Sequence, residues 1–232
     1  MPSPHIFRRV YLWEWPVRFY HWMTAGCVVV LSVTGVLIGD PPALLASGEA
    51  WNQYWFGTVR LVHFTTAYVF TFVFLLRMYW MLVGNRFAHW RAFIPVGRMR
   101  EHLGDLWQVF RVDVLQLQKQ PLDTLGHNPA AGTAYLAVFV ISLFQIVTGF
   151  ALYAPMSGAW FPRLFAWATS LLGGDGGLRL WHHVGMWAIL LFAIVHVYLV
   201  VFHDVVESRG EMSSMVGGSR FVVDEAPGEP GR

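Results

Sequence analysis

Apolar residues in this chain gather into four long runs, over about residues 21–38, 60–83, 133–153 and 179–202. A helix rising 1.5 Å per residue needs about 20 mainly apolar residues to cross a hydrocarbon core about 30 Å thick. The runs approach or exceed that length. Three end on residues that stop a helix: Gly39-Asp40-Pro41-Pro42 after the first, Gly84-Asn85 after the second and Pro155 after the third. Between the second and third runs, Leu103, Leu106, Trp107, Phe110, Val114 and Leu117 recur at helical spacing. That pattern predicts an amphipathic helix lying on the membrane surface over 98–118. The residues after Arg220 are rich in Pro, Gly and acidic side chains, and 223–232 read as a disordered tail. No internal repeat is evident. The pattern predicts an all-α integral membrane protein, with one four-helix transmembrane bundle within residues 1–222.

Composition agrees. The chain is 56% hydrophobic and only 13% charged, against about 25% charged in soluble domains. Its 12 Trp, 8 Tyr and 18 Phe are the side chains that membrane–water interfaces favour. A net charge of +2 gives no reason to expect nucleic acid. The lone Cys27 excludes an intramolecular disulfide and any cysteine-pair metal site. No Cys-x-x-Cys-His occurs, so any heme would be held non-covalently. The first run has no small-residue cleavage site and is not read as a removable signal peptide. Arg8, Arg9 and Arg18 precede it, and Arg86, Arg91, Arg98, Arg100, Arg111 and Lys119 fill the middle connection. The other connections carry little beyond Arg60, Arg163 and Arg179. Both termini and the middle connection are therefore expected on the cytoplasmic side.

Of the ten histidines, four lie in or at the edges of the runs: His21, His63, His182 and His196. An ionisable group at membrane depth is costly and so points to function, although any single one can serve as an interhelical hydrogen bond. Their spacing goes further. His182 and His196 are 14 residues apart, which on one helix means about 21 Å along the axis and only about 40° in direction. In an up-down bundle His182 comes level with His63, and His196 with His21. Two bis-histidine pairs at two depths are expected. His183 would point about 140° from His196 and is read as an interfacial or partner-facing group.

The same offset from His21 reaches Gly35 along a face of Ala25, Val28 and Ser32, small enough for a flat macrocycle to approach the backbone. From His63 it reaches Arg77, either a snorkelling interfacial arginine or a counter-charge for a heme propionate. Arg60 and Arg179 suit propionates at the other depth. The third run has no histidine, and its Gln145, Thr148 and Gly149 read as packing residues. His203 and Asp204 follow His196, as candidates for proton delivery at a quinone site or simply as the end of the helix.

Several motifs carry a family resemblance: Arg18-Phe-Tyr-His21-Trp22 with Val33-Thr34-Gly35, Arg60-Leu-Val-His63-Phe64, Gly84-Asn85-Arg86, Gly126-His127-Asn128-Pro129, Thr148-Gly149-Phe150-Ala151-Leu152-Tyr153, Trp181-His182-His183-Val-Gly185-Met186-Trp187 and His196-Val197-Tyr198. Over about residues 10–222 the chain resembles the cytochrome b subunit of membrane-bound nickel–iron (uptake) hydrogenases. The resemblance implies two b hemes in a bacterial cytoplasmic membrane, with the four histidines as axial ligands. It implies a periplasmic hydrogenase of small and large subunits as donor, the small one adding an anchor helix, and quinone as acceptor. The chain would then be the electron-transfer subunit of a hydrogen:quinone oxidoreductase, without catalytic residues of its own. A cytochrome b (gamma) subunit of a formate or thiosulfate oxidoreductase shares the architecture, but the Gly126–Pro129 and Gly149–Tyr153 motifs favour hydrogenase. A passive anchor, or a transporter relaying protons through histidines, would lack a b-type absorption band.

Overall fold

The structure, a computed structural model, describes residues 6–42, 54–85, 87–90, 129–205 and 210–224. A strand β1 (Ile6–Tyr11) leads into helix α1 (Trp15–Gly39), followed by α2 (Trp55–Val83) and α3 (Pro129–Tyr153). A 3₁₀ turn at Ala154–Met156 and the short helices α4 (Trp160–Arg163) and α5 (Trp167–Leu171) connect to α6 (Gly174–Val205). Helix α7 (Glu211–Gly217) and strand β2 (Ser219–Asp224) complete the order.

Helices α1, α2, α3 and α6 are each long and apolar enough to cross a membrane. Even 25 residues of helix extend about 37 Å, more than the hydrocarbon core. All four begin earlier than hydropathy marks, α1 and α2 on the interfacial aromatics Trp15 and Trp55, α3 on Pro129 and α6 on Gly174-Asp175. The surface helix expected over 98–118 lies outside the described residues, as do 225–232. One boundary is corrected. Residues 221–224, read as leading into and beginning the tail, belong to β2, which pairs antiparallel with β1 from Ile6↔Asp224 to Tyr11↔Ser219. A left-handed Gly218 (φ 80°) turns the chain from α7 into that strand, a conformation that glycine adopts without a Cβ clash.

The bundle is two hairpins. Helix α1 lies along α2 and α3 along α6, while the hairpins approach each other chiefly through α2 and α3. Cys27, Phe70, Phe74, Ile146 and Phe150 form the shared core. Phe161 meets the Phe150 ring edge-on at 5.0 Å and Phe165 stacks on it at 5.7 Å between centres, so the third connection folds down over the bundle end. At the end bearing the strands, Glu14 joins the hairpin: its carboxylate accepts Trp80 Nε1–H at 2.9 Å and the Asn85 N–H at 3.0 Å. Trp13 Nε1–H donates to Ser214 Oγ at 3.2 Å and Arg18 to the Val216 carbonyl at 2.6 Å, fastening α7 beneath α1.

Candidate cofactor site

Between the hairpins, at the end remote from β1 and β2, lies a cavity of about 360 Å³ bordered by all four long helices. It is lined by His63 from α2, His182 and His183 from α6, Gly35 from α1, Gly149 from α3, and the arginines Arg60 and Arg179. Two of the histidines are held alike. His63 Nδ1 lies 2.8 Å from Thr34 Oγ1, and His182 Nδ1 lies 2.8 Å from Thr148 Oγ1. Beside each threonine is a glycine whose missing side chain makes room for the ring. A Cβ on Gly35 would stand 3.5 Å from His63 Cε1, and one on Gly149 3.1 Å from His182 Cε1.

These contacts correct three sequence readings. Thr148 and Gly149 are not mere packing: they seat His182. Val33-Thr34-Gly35 on α1 recurs as Val147-Thr148-Gly149 on α3, so each hairpin presents a threonine and a glycine to the histidine of its partner helix. The shared tripeptide gains meaning only once its two copies meet equivalent rings. His183 also lines the cavity, whereas the helical wheel turned it away. Its Nδ1 bonds the Arg179 carbonyl at 2.8 Å within its own helix, and its Nε2 lies against Gly39, where a Cβ would be 2.7 Å away.

The arginines stand near the cavity mouth. Arg60 contacts Met156 Sδ and lies over the Phe56 and Phe64 rings, 5.8 and 5.9 Å from their centres. Arg179 pairs with Asp175 at 2.8 Å in an exposed bridge, of a kind worth about 0–1 kcal/mol and readily exchanged for another carboxylate.

Nearer the strand end, His21 and His196 face each other with ring centres 6.3 Å apart. That spacing leaves room for a metal held from both rings by bonds of about 2.0 Å, so these two side chains would fit a heme at this level. The His21 Nδ1 is buried with no hydrogen-bond partner among the described residues. His196 stacks on Phe192 at 5.4 Å. Arg77 does not snorkel. It is 6% exposed, donates to the Tyr135 hydroxyl and to the Ala88 carbonyl, the latter at 3.1 Å, and lies between the Tyr20 and Tyr135 rings. The Asp204 carboxylate accepts the Met212 N–H at 3.2 Å, joining α6 to α7. The His203 side chain lies outside the described residues.

Histidines at two levels, glycines where rings need room and arginines at the mouth together fit heme. A match to the prokaryotic cytochrome b561 family model extends over residues 12–218. The chain belongs to that family. It is therefore a multi-pass membrane cytochrome of the b type, whose cofactor is heme b and whose work is electron transport. Among similar b-type cytochromes is a probable Ni/Fe-hydrogenase B-type cytochrome subunit of Azotobacter vinelandii, 42% identical over 94% of this chain and 91% of that one. One of the same description from Cupriavidus necator is 38% identical over 94% and 89%. A probable Ni/Fe-hydrogenase 1 B-type cytochrome subunit of Escherichia coli K12 is 40% identical over 90% of each.

Gly149 offers a direct check on the cavity. Gly149→Val should displace the His182 ring and cut heme content by at least half, since the added carbons collide with Cε1. Gly26→Ala, where a Cβ meets open space, should leave heme content unchanged. Heme per polypeptide from the pyridine hemochrome spectrum reads both, and equal losses in the two variants would discredit the seating role.

Proposed function

We propose that this cytochrome anchors a periplasmic nickel–iron hydrogenase in the bacterial cytoplasmic membrane and passes electrons from hydrogen oxidation to quinone. The observation that carries the reading is the nearly end-to-end match to chains named as Ni/Fe-hydrogenase B-type cytochrome subunits. His63 and His182 serve as axial ligands at the periplasmic end, and His21 and His196 at the cytoplasmic end. Bound heme b supplies a one-electron carrier at each level. Gly35 lets the macrocycle approach α1, Arg60 and Arg179 bind the outer propionates, and Arg77 places positive charge near the inner pair. His203 and Asp204 stand at the end of α6, where cytoplasmic protons would meet a reduced quinone.

The orientation rests on charge. Arg8, Arg9 and Arg18 lie at the strand end, where α2 also ends at Gly84–Asn85. Cytoplasmic flanks carry the excess of Lys and Arg, so that end faces the cytoplasm.

The opposite end should receive the hydrogenase small subunit with its anchor helix, the large subunit following through it. Tyr54 and Trp160 are each 73% exposed there, and Trp167 is 56% exposed. Phe161 packs inward against Phe150 and Tyr68. Aromatic anchors at such interfaces are commonly worth about 2 kcal/mol each, close to thirtyfold in affinity. Changing Trp55 and Trp160 together to Ser should slow hydrogen-driven heme reduction at least tenfold while dithionite still reduces every heme. Co-purification with a nickel–iron protein is the companion result; a molybdenum protein in its place would move the chain to a formate or thiosulfate system. Cross-links from the hydrogenase to the segment between Arg86 and Lys119 would invert the topology.

A further inference from the structure

We infer that Thr34 and Thr148 are positioning residues that lock His63 and His182 in the tautomer protonated at Nδ1, leaving Nε2 as the lone pair that ligates. The inference rests on the ligation proposed above and deepens it.

A hydroxyl has one proton to give. Thr34 Oγ1 lies 2.6 Å from the Val30 carbonyl, and Thr148 Oγ1 lies 2.7 Å from the Phe144 carbonyl. A carbonyl oxygen only accepts, so both hydroxyl protons are committed to their own helices. What each oxygen then presents to the ring 2.8 Å away is a lone pair, and the facing Nδ1 must carry the hydrogen. A neutral imidazole protonated there is unprotonated at Nε2, the form a metal requires. Both threonines are buried, Thr148 at 0% exposure and Thr34 at 8%, so water is poorly placed to take over. His183 donates from Nδ1 to the Arg179 carbonyl of its own helix, so its tautomer needs no threonine, and its Nε2 lies against Gly39 of α1.

An acceptor on the far nitrogen raises the basicity of a ligating imidazole, and a more basic ligand favours the oxidised metal. Removing it should make the heme at that level easier to reduce. A bond worth about 1 kcal/mol corresponds to about a fivefold shift of the oxidised–reduced ratio.

The test is a redox titration of the full-length cytochrome in membranes, with the two hemes assigned through His63→Ala and His21→Ala. Thr34→Val and Thr148→Val should each move the ratio about fivefold toward reduced at the His63/His182 level only, and Thr→Ser at either position should restore it. Valine variants with full heme content and unshifted titrations would overturn the inference. Should a valine variant lose heme, the serine variant decides: wild-type heme and potential support the bond, and an equal loss overturns it. If His63→Ala and His182→Ala both keep every heme, the ligation reading falls and takes the inference with it. If they empty that level while the valine variants titrate as wild type, only the inference falls.

Discussion

His63→Ala should leave the chain inserted in the membrane with one heme per polypeptide in place of two, and His182→Ala should lose that same heme. The two residues come from different hairpins, yet both line one cavity and both are seated by a threonine and a glycine of the same tripeptide. On the proposed ligation either variant would lose one of the two imidazoles holding that heme, so occupancy at that level should fall at least tenfold. His183→Ala should keep both hemes, because its Nε2, the nitrogen left to ligate, lies against Gly39 of α1. Hemochrome content together with a two-component redox titration measures all three variants. The pairing is wrong if His63→Ala and His196→Ala delete the same component.

Arg77→Leu is expected to act twice. The guanidinium is braced by Tyr135 of α3 and the Ala88 carbonyl and lies 5.0 Å from the centre of the Tyr20 ring of α1, so one side chain of α2 ties three parts of the bundle. Leucine removes the donor that reaches the part-buried Tyr135 hydroxyl and the buried Ala88 carbonyl. That should cost about 3 kcal/mol, read as a lower unfolding temperature in detergent. The lost positive charge should also lower the potential of the heme placed between His21 and His196, since a nearby cation favours the less positive, reduced state. Arg77→Lys separates the effects: the charge returns and with it the potential, whereas the planar fork and most of the lost stability do not. An unchanged potential in the leucine variant would leave Arg77 as a brace alone.

The four spans were legible because hydropathy is a local signal and nothing else in a chain of this kind sustains apolar runs of such length. The histidines stand out for the complementary reason that a costly group inside an apolar run is conspicuous, while their pairing as ligands is the proposal that the heme counts above would test. Thr148 and Gly149 were missed because neither stands out: small and weakly polar residues are ordinary in membrane helices. Their signal was the pair of Val-Thr-Gly tripeptides, too short to be a repeat until both were seen against equivalent rings. His183 was misplaced because a helical wheel treats side chains as radial lines, while an imidazole can swing toward the space that Gly39 leaves open. Strand pairing between β1 and β2 was invisible for a different reason. Six-residue strands separated by most of the chain leave no local mark, and the acidic, proline-rich stretch that follows β2 drew attention to the tail.

That pairing has a consequence for how the molecule is made. β2 leaves the ribosome roughly two hundred residues after β1, so β1 must wait until all four spans are in the membrane before it finds its partner. Contacts so distant in sequence form late and slowly. Until then the unpaired edge of β1 is open to other strands. Its closure with β2 reports that translation has run through the fourth span, and a chain cut short by a premature stop would display the open edge to cellular proteases.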